Sequence, residues 1–343
     1  MTLITYPTRV HFADAVLAEA LHSEIESMAL LAPLLIVPDA PGAAESREVI
    51  LSGLPVATDI LSFDLAETAD LSTAAVALCE QFAGQRVDTI IAFGAARAIE
   101  LGRKARKMLS QFGPRPKLYA VPGIDGLPDP CRRNVESWRS GLPDVLICDP
   151  TLILSAGPED NLRSALRSLV RSLESYLAST YNPTADGMAL DAFSRSVANL
   201  PRLAAAPDVT VSRELMAAGL NAALSQQKGL GPAQMLAVVL AAQHSGLDAL
   251  AAARLLLPGA LAAMEAEVER TDLLGRMIGA GADRREGAAT ERLSAYLGAI
   301  PSLAPRLSDL GLTPDDLDEA VSEAERADIL PKGAARTVLE GVF

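Results

Sequence analysis

Apolar residues follow two different periods along this chain, and the change of period divides it. Up to about residue 150, strand-length apolar runs at 9–12, 34–38, 59–63, 89–93, 117–122 and 144–148 alternate with segments of helical period at 13–31, 43–54, 71–82 and 95–109. That alternation predicts a parallel sheet covered by helices on both faces. After Asp149-Pro150 the strand-type runs stop. Helical periodicity then predicts helices over 158–178, 184–200, 211–226, 230–243, 246–264, 288–299 and 314–327. Thr313-Pro-Asp-Asp316 is a complete start signal, with cap, first-turn proline and acids. Residues 279–287, rich in glycine and charge, read as a loop. The organisation predicted is a Rossmann-like α/β domain over 1–152, an all-helical domain over 153–343, and a cleft between them.

The segment from Pro158 to Leu177 is the most informative stretch. Leu162, Ala165, Leu166, Leu169, Val170, Leu173 and Leu177 form one apolar face. Beside it Arg163, Arg167 and Arg171 stand four apart, with Glu174 three further on, so their side chains share one stripe. Pairing of Glu159 with Arg163 and of Glu174 with Arg171 would make this a solvated stripe. The alternative is that the arginines line a functional surface.

Composition narrows the partners. The 343 residues are half apolar and carry a net charge of −13, which argues for a globular, dissolved chain and against nucleic acid or anionic membrane. Cys79, Cys131 and Cys148 form no disulfide framework and fit a reducing cytoplasm. The first ten residues lack the basic and apolar regions of a secretion signal. The run 229–247 is interrupted by Pro232, Gln234, Gln243 and His244 and reads as a core helix with its flanks, not as a membrane span. No Gly-x-Ser-x-Gly, His-Glu-x-x-His or Walker pattern occurs.

Several stretches carry a family resemblance. Tyr6 with Arg9–Val16, the run Ile90-Ile-Ala-Phe-Gly-Ala-Ala-Arg-Ala-Ile-Glu-Leu-Gly-Arg-Lys-Ala105, Tyr119–Pro122, Pro143–Pro150, Asn182-Pro183, Asp309–Leu312 and the closing Leu330-Pro…Leu339-Glu resemble, in order and spacing, the iron-containing alcohol dehydrogenases, most of all their maleylacetate reductase branch. The resemblance implies that family's fold, a nucleotide at the turn Gly94-Ala95-Ala96-Arg97 and near Gly123, and a homodimer. It also locates departures. The family's phosphate turn is Gly-Gly-Gly-Ser, and its second nucleotide loop has a Thr-Thr pattern that Gly123–Pro130 lacks. Two metal ligands of the family align with Arg167 and Arg171, and the others fall near Gln234 and Asp248. Guanidinium groups repel a cation and offer no lone pair, so no catalytic metal is expected.

These residues leave three functions open. The first is a diverged, metal-independent enzyme with non-redox acid–base chemistry. In it, Arg167, Arg171 and Gln234 would hold a small anionic molecule, and His244, oriented by Asp248, or Tyr176 would move the proton. Asp125, Asp129 and Cys131 are further candidates for the cleft. The second is an NAD(P)H-dependent oxidoreductase of a small carboxylate-bearing substrate, again without metal. The third is a non-catalytic pseudoenzyme or partner subunit. Plainer readings stand beside them: His244 as a helix-end histidine, or Arg167 or Arg171 bridged to Asp248 to plug the vacant metal site.

Overall fold

A computed structural model describes residues 9–39, 43–56, 58–66, 68–94, 96–124, 142–155, 157–206, 208–244, 246–264, 268–279, 288–300 and 306–343. Asp125, Asp129, Cys131, Ala95 and most of the 279–287 stretch lie outside them. Six strands make one wholly parallel sheet: β1 (Arg9–Phe12), β2 (Pro33–Pro38), β3 (Leu61–Leu65), β4 (Thr89–Gly94), β5 (Lys117–Pro122) and β6 (Val145–Cys148), in the order β1-β6-β5-β4-β2-β3. Helices α1 (Leu17–Ser27), α2 (Ala43–Ser52), α3 (Leu71–Gln81) and α4 (Ala96–Leu109) lie between the strands. The alternation of side chains along each strand sorts them onto two faces. Leu35, Val37, Ile91, Tyr119, Val121 and Ile147 pack on α1 and α2. Leu34, Ile36, Ile90, Ala92, Leu118 and Leu146 pack on α3 and α4.

Beyond a short 3-10 turn, Pro150–Ser155, the described chain is helical: α5 (Pro158–Leu177), α6 (Pro183–Ala205), α7 (Val209–Ser225), α8 (Pro232–Gln243), α9 (Ala249–Ala263), α10 (Val268–Ile278), α11 (Ala288–Gly298), α12 (Pro314–Arg326) and α13 (Ala334–Glu340). Helix α5 is the axis of this part and packs on α6, α7, α8, α9 and α10. Its start follows the expected signals, with Gly157 in extended geometry, Pro158 in the first turn and Glu159 and Asp160 beside it. Among the described residues no helix is long and apolar enough to cross a membrane.

The sheet and its covering helices were legible from pattern, and three differences have physical causes. Helix α1 is shorter than the periodic stretch 13–31, because Ala15 and Ala29 take positive φ values of 53° and 50° on either side of it. Helix α6 continues past residue 200 with Pro201 inside it. Proline cannot donate to the carbonyl four residues back, which is that of Val197. The Tyr296 hydroxyl of α11 donates to that oxygen at 3.0 Å and makes up the loss. Strand β3 lies two residues later than the apolar run at 59–63 suggests.

Asp149, buried at the end of β6, joins the first helix to the last strand. Its carboxylate accepts from the backbone N–H of Ala15 (2.9 Å), Leu17 (3.1 Å) and Thr151 (3.1 Å) and from the Thr151 hydroxyl (2.6 Å). On the edge strand, buried Glu24 of α1 binds Arg9 at 2.5 Å and His11 at 2.9 Å. Burial pushes the Glu24 carboxyl up, but the hydrogen bonds from Arg9 and His11 outweigh it and leave the group below the usual carboxylate range. A lowered carboxylate pKa stabilises the fold above the unfolded-state value, roughly pH 4.3, and that contribution is lost as pH falls through the folded value. Acid unfolding of the wild type should therefore include a Glu24 component at and below about pH 4 that Glu24→Gln removes, measured as the slope of urea-derived stability against pH. Tyr296→Phe should cost roughly 1–3 kcal/mol in urea unfolding, because the Val197 carbonyl loses its partner.

Candidate functional site

Two places concentrate the chemistry that the sequence nominated. The first is the crevice at the C-terminal ends of β2 and β4. After β2 the chain passes along α2 on one face of the sheet; after β4 it passes along α4 on the other. The sheet order reverses between these strands, and ligands of open α/β sheets sit outside such a point. Gly94 closes β4 with φ of 117°, a conformation that side chains rarely adopt. A Cβ there would also stand 3.2 Å from the Pro38 ring. Ala96 is already in the first turn of α4 with ordinary helical geometry, so an alanine is unstrained at that position. Gly102, one turn and a half further on, lets α4 lie against the sheet: a Cβ would meet Leu118 at 3.0 Å and Ala92 at 3.1 Å. Arg97 is exposed and turns aside, donating to the Ala69 carbonyl at 2.5 Å. Gly123 follows β5 in open space and donates its N–H to the Gly94 carbonyl at 3.3 Å. Asp39 is exposed at the end of β2, one residue beyond Pro38.

The second place is the buried half of α5. From Ala165 to Leu177 every residue except Arg167 is buried, so the arginine ladder runs from solvent into the interior. The Arg163 side chain is 44% exposed, Arg167 is half-buried, and Arg171 is 1% exposed and the bulkiest of the fully buried side chains. A solvated stripe therefore describes its first member only. Arg163 binds Asp248 at 2.8 Å. One of the readings left open by the sequence was a bridge from Arg167 or Arg171 to Asp248; the bridge observed comes from Arg163, one turn or more earlier on the helix.

Glu174, 1% exposed, is the hub of this region. Its carboxylate accepts from the backbone N–H of Ala233 at 2.5 Å and of Gln234 at 3.2 Å, and from the Gln234 side-chain amide at 2.8 Å. It thus caps α8, whose own N-cap, Gly231, has no side chain to do so. Gly231 is what permits the approach: a Cβ would lie 2.4 Å from Glu174 Cβ. The Gln234 carbonyl oxygen accepts from Gln226 at 2.9 Å, so both ends of this side chain are engaged within the protein. Alongside, the wholly buried Lys228 side chain reaches Asp186 at 2.5 Å and the Tyr176 carbonyl at 3.4 Å. Asp186 also binds Arg270 at 2.9 Å, and the Arg270 guanidinium stands 4.3 Å from the centre of the Tyr176 ring.

The nominated acid–base residues are not brought together. His244 ends α8, and its Nε2 faces Gly311, 3.3 Å from where a Cβ would stand. It also faces Asp316, whose carboxyl is held low chiefly by hydrogen bonds from Thr313, with a smaller contribution from His244. Asp248 caps α9 through the N–H groups of Leu250 (3.0 Å) and Ala251 (3.2 Å) and binds Arg163. Among the described residues the His244 ring and the Asp248 carboxylate share no hydrogen bond. Tyr176 is buried beneath Arg270. Glu174, Gly231, Lys228, Asp186 and Arg270 were not nominated. The sequence held one signal for the first pair: a proline-initiated helix with glycine at its N-cap must be capped from elsewhere.

The donor set does not fit a divalent metal at the positions that the resemblance assigns. Two are guanidinium groups, Gln234 is bonded on both sides, and Asp248 is committed to a helix end and to Arg163. No group of three or more His, Cys, Asp and Glu placed to hold a metal occurs among the described residues. At the β4–α4 turn the described position that takes positive φ, Gly94, is glycine, and the N-terminus of α4 follows, the kind of end that favours an anion.

Comparison with known proteins agrees with the fold. The chain is 27% identical over 266 residues to 4-hydroxybutyrate dehydrogenase of Cupriavidus necator, covering 67% of this chain and 68% of that one. It superposes on maleylacetate reductase from Agrobacterium tumefaciens with a TM-score of 0.80 at 22% identity, covering 100% of this chain and 99% of that. Sulfoacetaldehyde reductase from Bifidobacterium kashiwanohense, solved in complex with NAD+, gives 0.79 at 17% identity, covering 100% and 98%. No protein-family model matches. The class is that of a parallel α/β sheet followed by a helical part. The particular fold is that of the maleylacetate reductases and iron-containing alcohol dehydrogenases, as the resemblance implied.

Gly231→Ala should shift urea unfolding by roughly 1–3 kcal/mol, the cost of overpacking. The loss should fall sharply in a Glu174→Gly background, which removes the colliding Cβ together with the carboxyl group; equal losses in both backgrounds would remove Glu174 as the cause.

Proposed function

We propose that this chain is a diverged, metal-independent member of the iron-containing alcohol dehydrogenase and maleylacetate reductase group. It acts as an NAD(P)H-dependent oxidoreductase on a small carbonyl or alcohol compound that bears a carboxylate. The observation that carries this reading is Gly94: the turn keeps glycine where positive φ and the Pro38 ring demand it. The names of the relatives support it, since hydroxybutyrate, maleylacetate and sulfoacetaldehyde are all anionic substrates, and one neighbour was solved with NAD+.

In this reading Gly94, Ala96 and the α4 N-terminus hold the pyrophosphate through backbone N–H groups and the helix dipole. Gly123 leaves open space beside them for the nicotinamide half. Asp39 stands at the end of the strand next to the phosphate turn, where a carboxylate accepts a ribose hydroxyl and repels a 2′-phosphate, so NADH is preferred to NADPH. When bound, the nicotinamide supplies or accepts the hydride. Arg167, the half-buried member of the ladder, binds the substrate carboxylate. His244, at the end of α8, supplies the proton that accompanies the hydride; Tyr176 is dropped from that role because Arg270 covers it. The non-redox alternative has no hydrogen-bonded acid–base pair among its nominated residues.

Calorimetric titration of the purified, chelator-treated protein should show NADH binding with a Kd below a millimolar and weaker NADPH binding. Gly94→Val should abolish it with an unchanged circular dichroism spectrum. Absence of NADH binding at millimolar cofactor would sink the reading. Binding without turnover of any short ω-aldehyde acid or keto acid would favour the non-catalytic alternative. Asp39→Ala should narrow the gap between the two cofactors by about tenfold, the worth of one charge-assisted contact.

A further inference from the structure

A metal ion held by residues of α5 and of the later helices does two things: it polarises a ligand, and it cross-links the segments that supply its donors. We infer that in this chain the second task has passed to the protein's own charges. Two contacts carry it. Glu174 of α5 is bonded three times to the first turn of α8, to Ala233 N, Gln234 N and Gln234 Nε2. Arg163, three turns earlier on the same helix, binds Asp248 at 2.8 Å, and Asp248 caps α9 in the same geometry. The central helix is thus clasped to the starts of α8 and α9, which are the segments that the resemblance makes partners in a metal site.

The state of the donors agrees. Lys228 is paired with Asp186, and Glu174 and Asp248 each close a helix end. An entering divalent cation would meet the Arg163 guanidinium already at Asp248. It would also have to take Glu174 from a helix end and Asp248 from a second one, exposing N–H groups that cost about 1–3 kcal/mol each when left unsatisfied. The close approach of Gly231 to Glu174, with room for no Cβ, shows a contact built to that distance. The inference does not rest on cofactor binding: the clasp acts whether or not NADH binds.

The test uses the full chain. The protein, produced with added iron or zinc and dialysed against a chelator, should hold substoichiometric metal and melt at the same temperature before and after dialysis. Asp248→Asn keeps a capping side chain but loses the ion pair. In a double-mutant cycle with Arg163→Met, the second substitution should therefore add little to the melting shift of the first. Glu174→Gln should lower the melting temperature by several degrees and speed amide exchange in residues 231–236 at least tenfold, while leaving exchange in the parallel sheet unchanged. A stoichiometric ion whose removal lowers the melting temperature would overturn the inference. So would full additivity at 163 and 248 together with unchanged exchange at 231–236. Should Glu174→Gln fail to fold, the surface-accessible 163–248 cycle and the metal analysis still decide. Titration of each variant with NADH keeps this outcome separate from that of the cofactor reading.

Discussion

Burial of α5 between Ala165 and Leu177 governs the helical part of this molecule. Packed among five other helices, the polar side chains of this half bond inside the protein. Ser168 and Ser172 do this locally, donating to Ser164 O at 3.1 Å and Leu169 O at 3.0 Å, while Ser175 crosses to Ser225 O at 2.6 Å. Glu174 does it at a distance by ending another helix. The small hydroxyl side chains let neighbouring helices come close, and the single carboxylate sets where α8 begins. Position in the chain, helix packing and charge are therefore not separable here; the hub that orders the bundle is also the region where chemistry was sought.

Much of the fold was legible because its signals are local. Strands buried on both faces show as apolar runs, and Thr313 with Asp316 forms the capping box that its sequence announces. The failures occur where a distant residue compensates for a local defect. Pro201 reads as a stop, yet α6 passes through it because Tyr296, nearly a hundred residues on, supplies the missing hydrogen bond. Helices α10 and α13 were not read from the sequence; α10 does carry helical spacing, at Leu273, Leu274, Met277 and Ile278, whereas α13 has only seven residues in which to show any. At the candidate site the same rule holds. Spacing placed Arg163, Arg167 and Arg171 on one stripe, and they are on one stripe. It could not tell that the stripe dives into the interior, nor that Asp248 would be met by its exposed end.

The two nominated regions have diverged in different ways. At the crevice beside Gly94, Arg97 stands where the resemblance expects a small hydroxyl residue, but it points at Ala69 and away from the turn. In the helical half, Gln234 bonds Glu174 and Gln226, and Asp248 bonds Arg163. Chemistry that depends on main-chain N–H groups survives substitution better than chemistry that depends on particular donor atoms. That contrast is the physical basis for retaining a dinucleotide in the proposed function while dropping the metal from it.

The turn at Gly94 has a bearing on how such chains are recognised. Three glycines in a row look equally indispensable when written as letters, but only one of the described positions is constrained by backbone angle and by a neighbouring proline ring. Ala96 sits in an ordinary helical turn, at no conformational expense. A signature that scores every letter alike does not see that difference. Weighting each position by the torsion it must adopt would, and would turn an eroded motif into a statement about which atoms still have to be there.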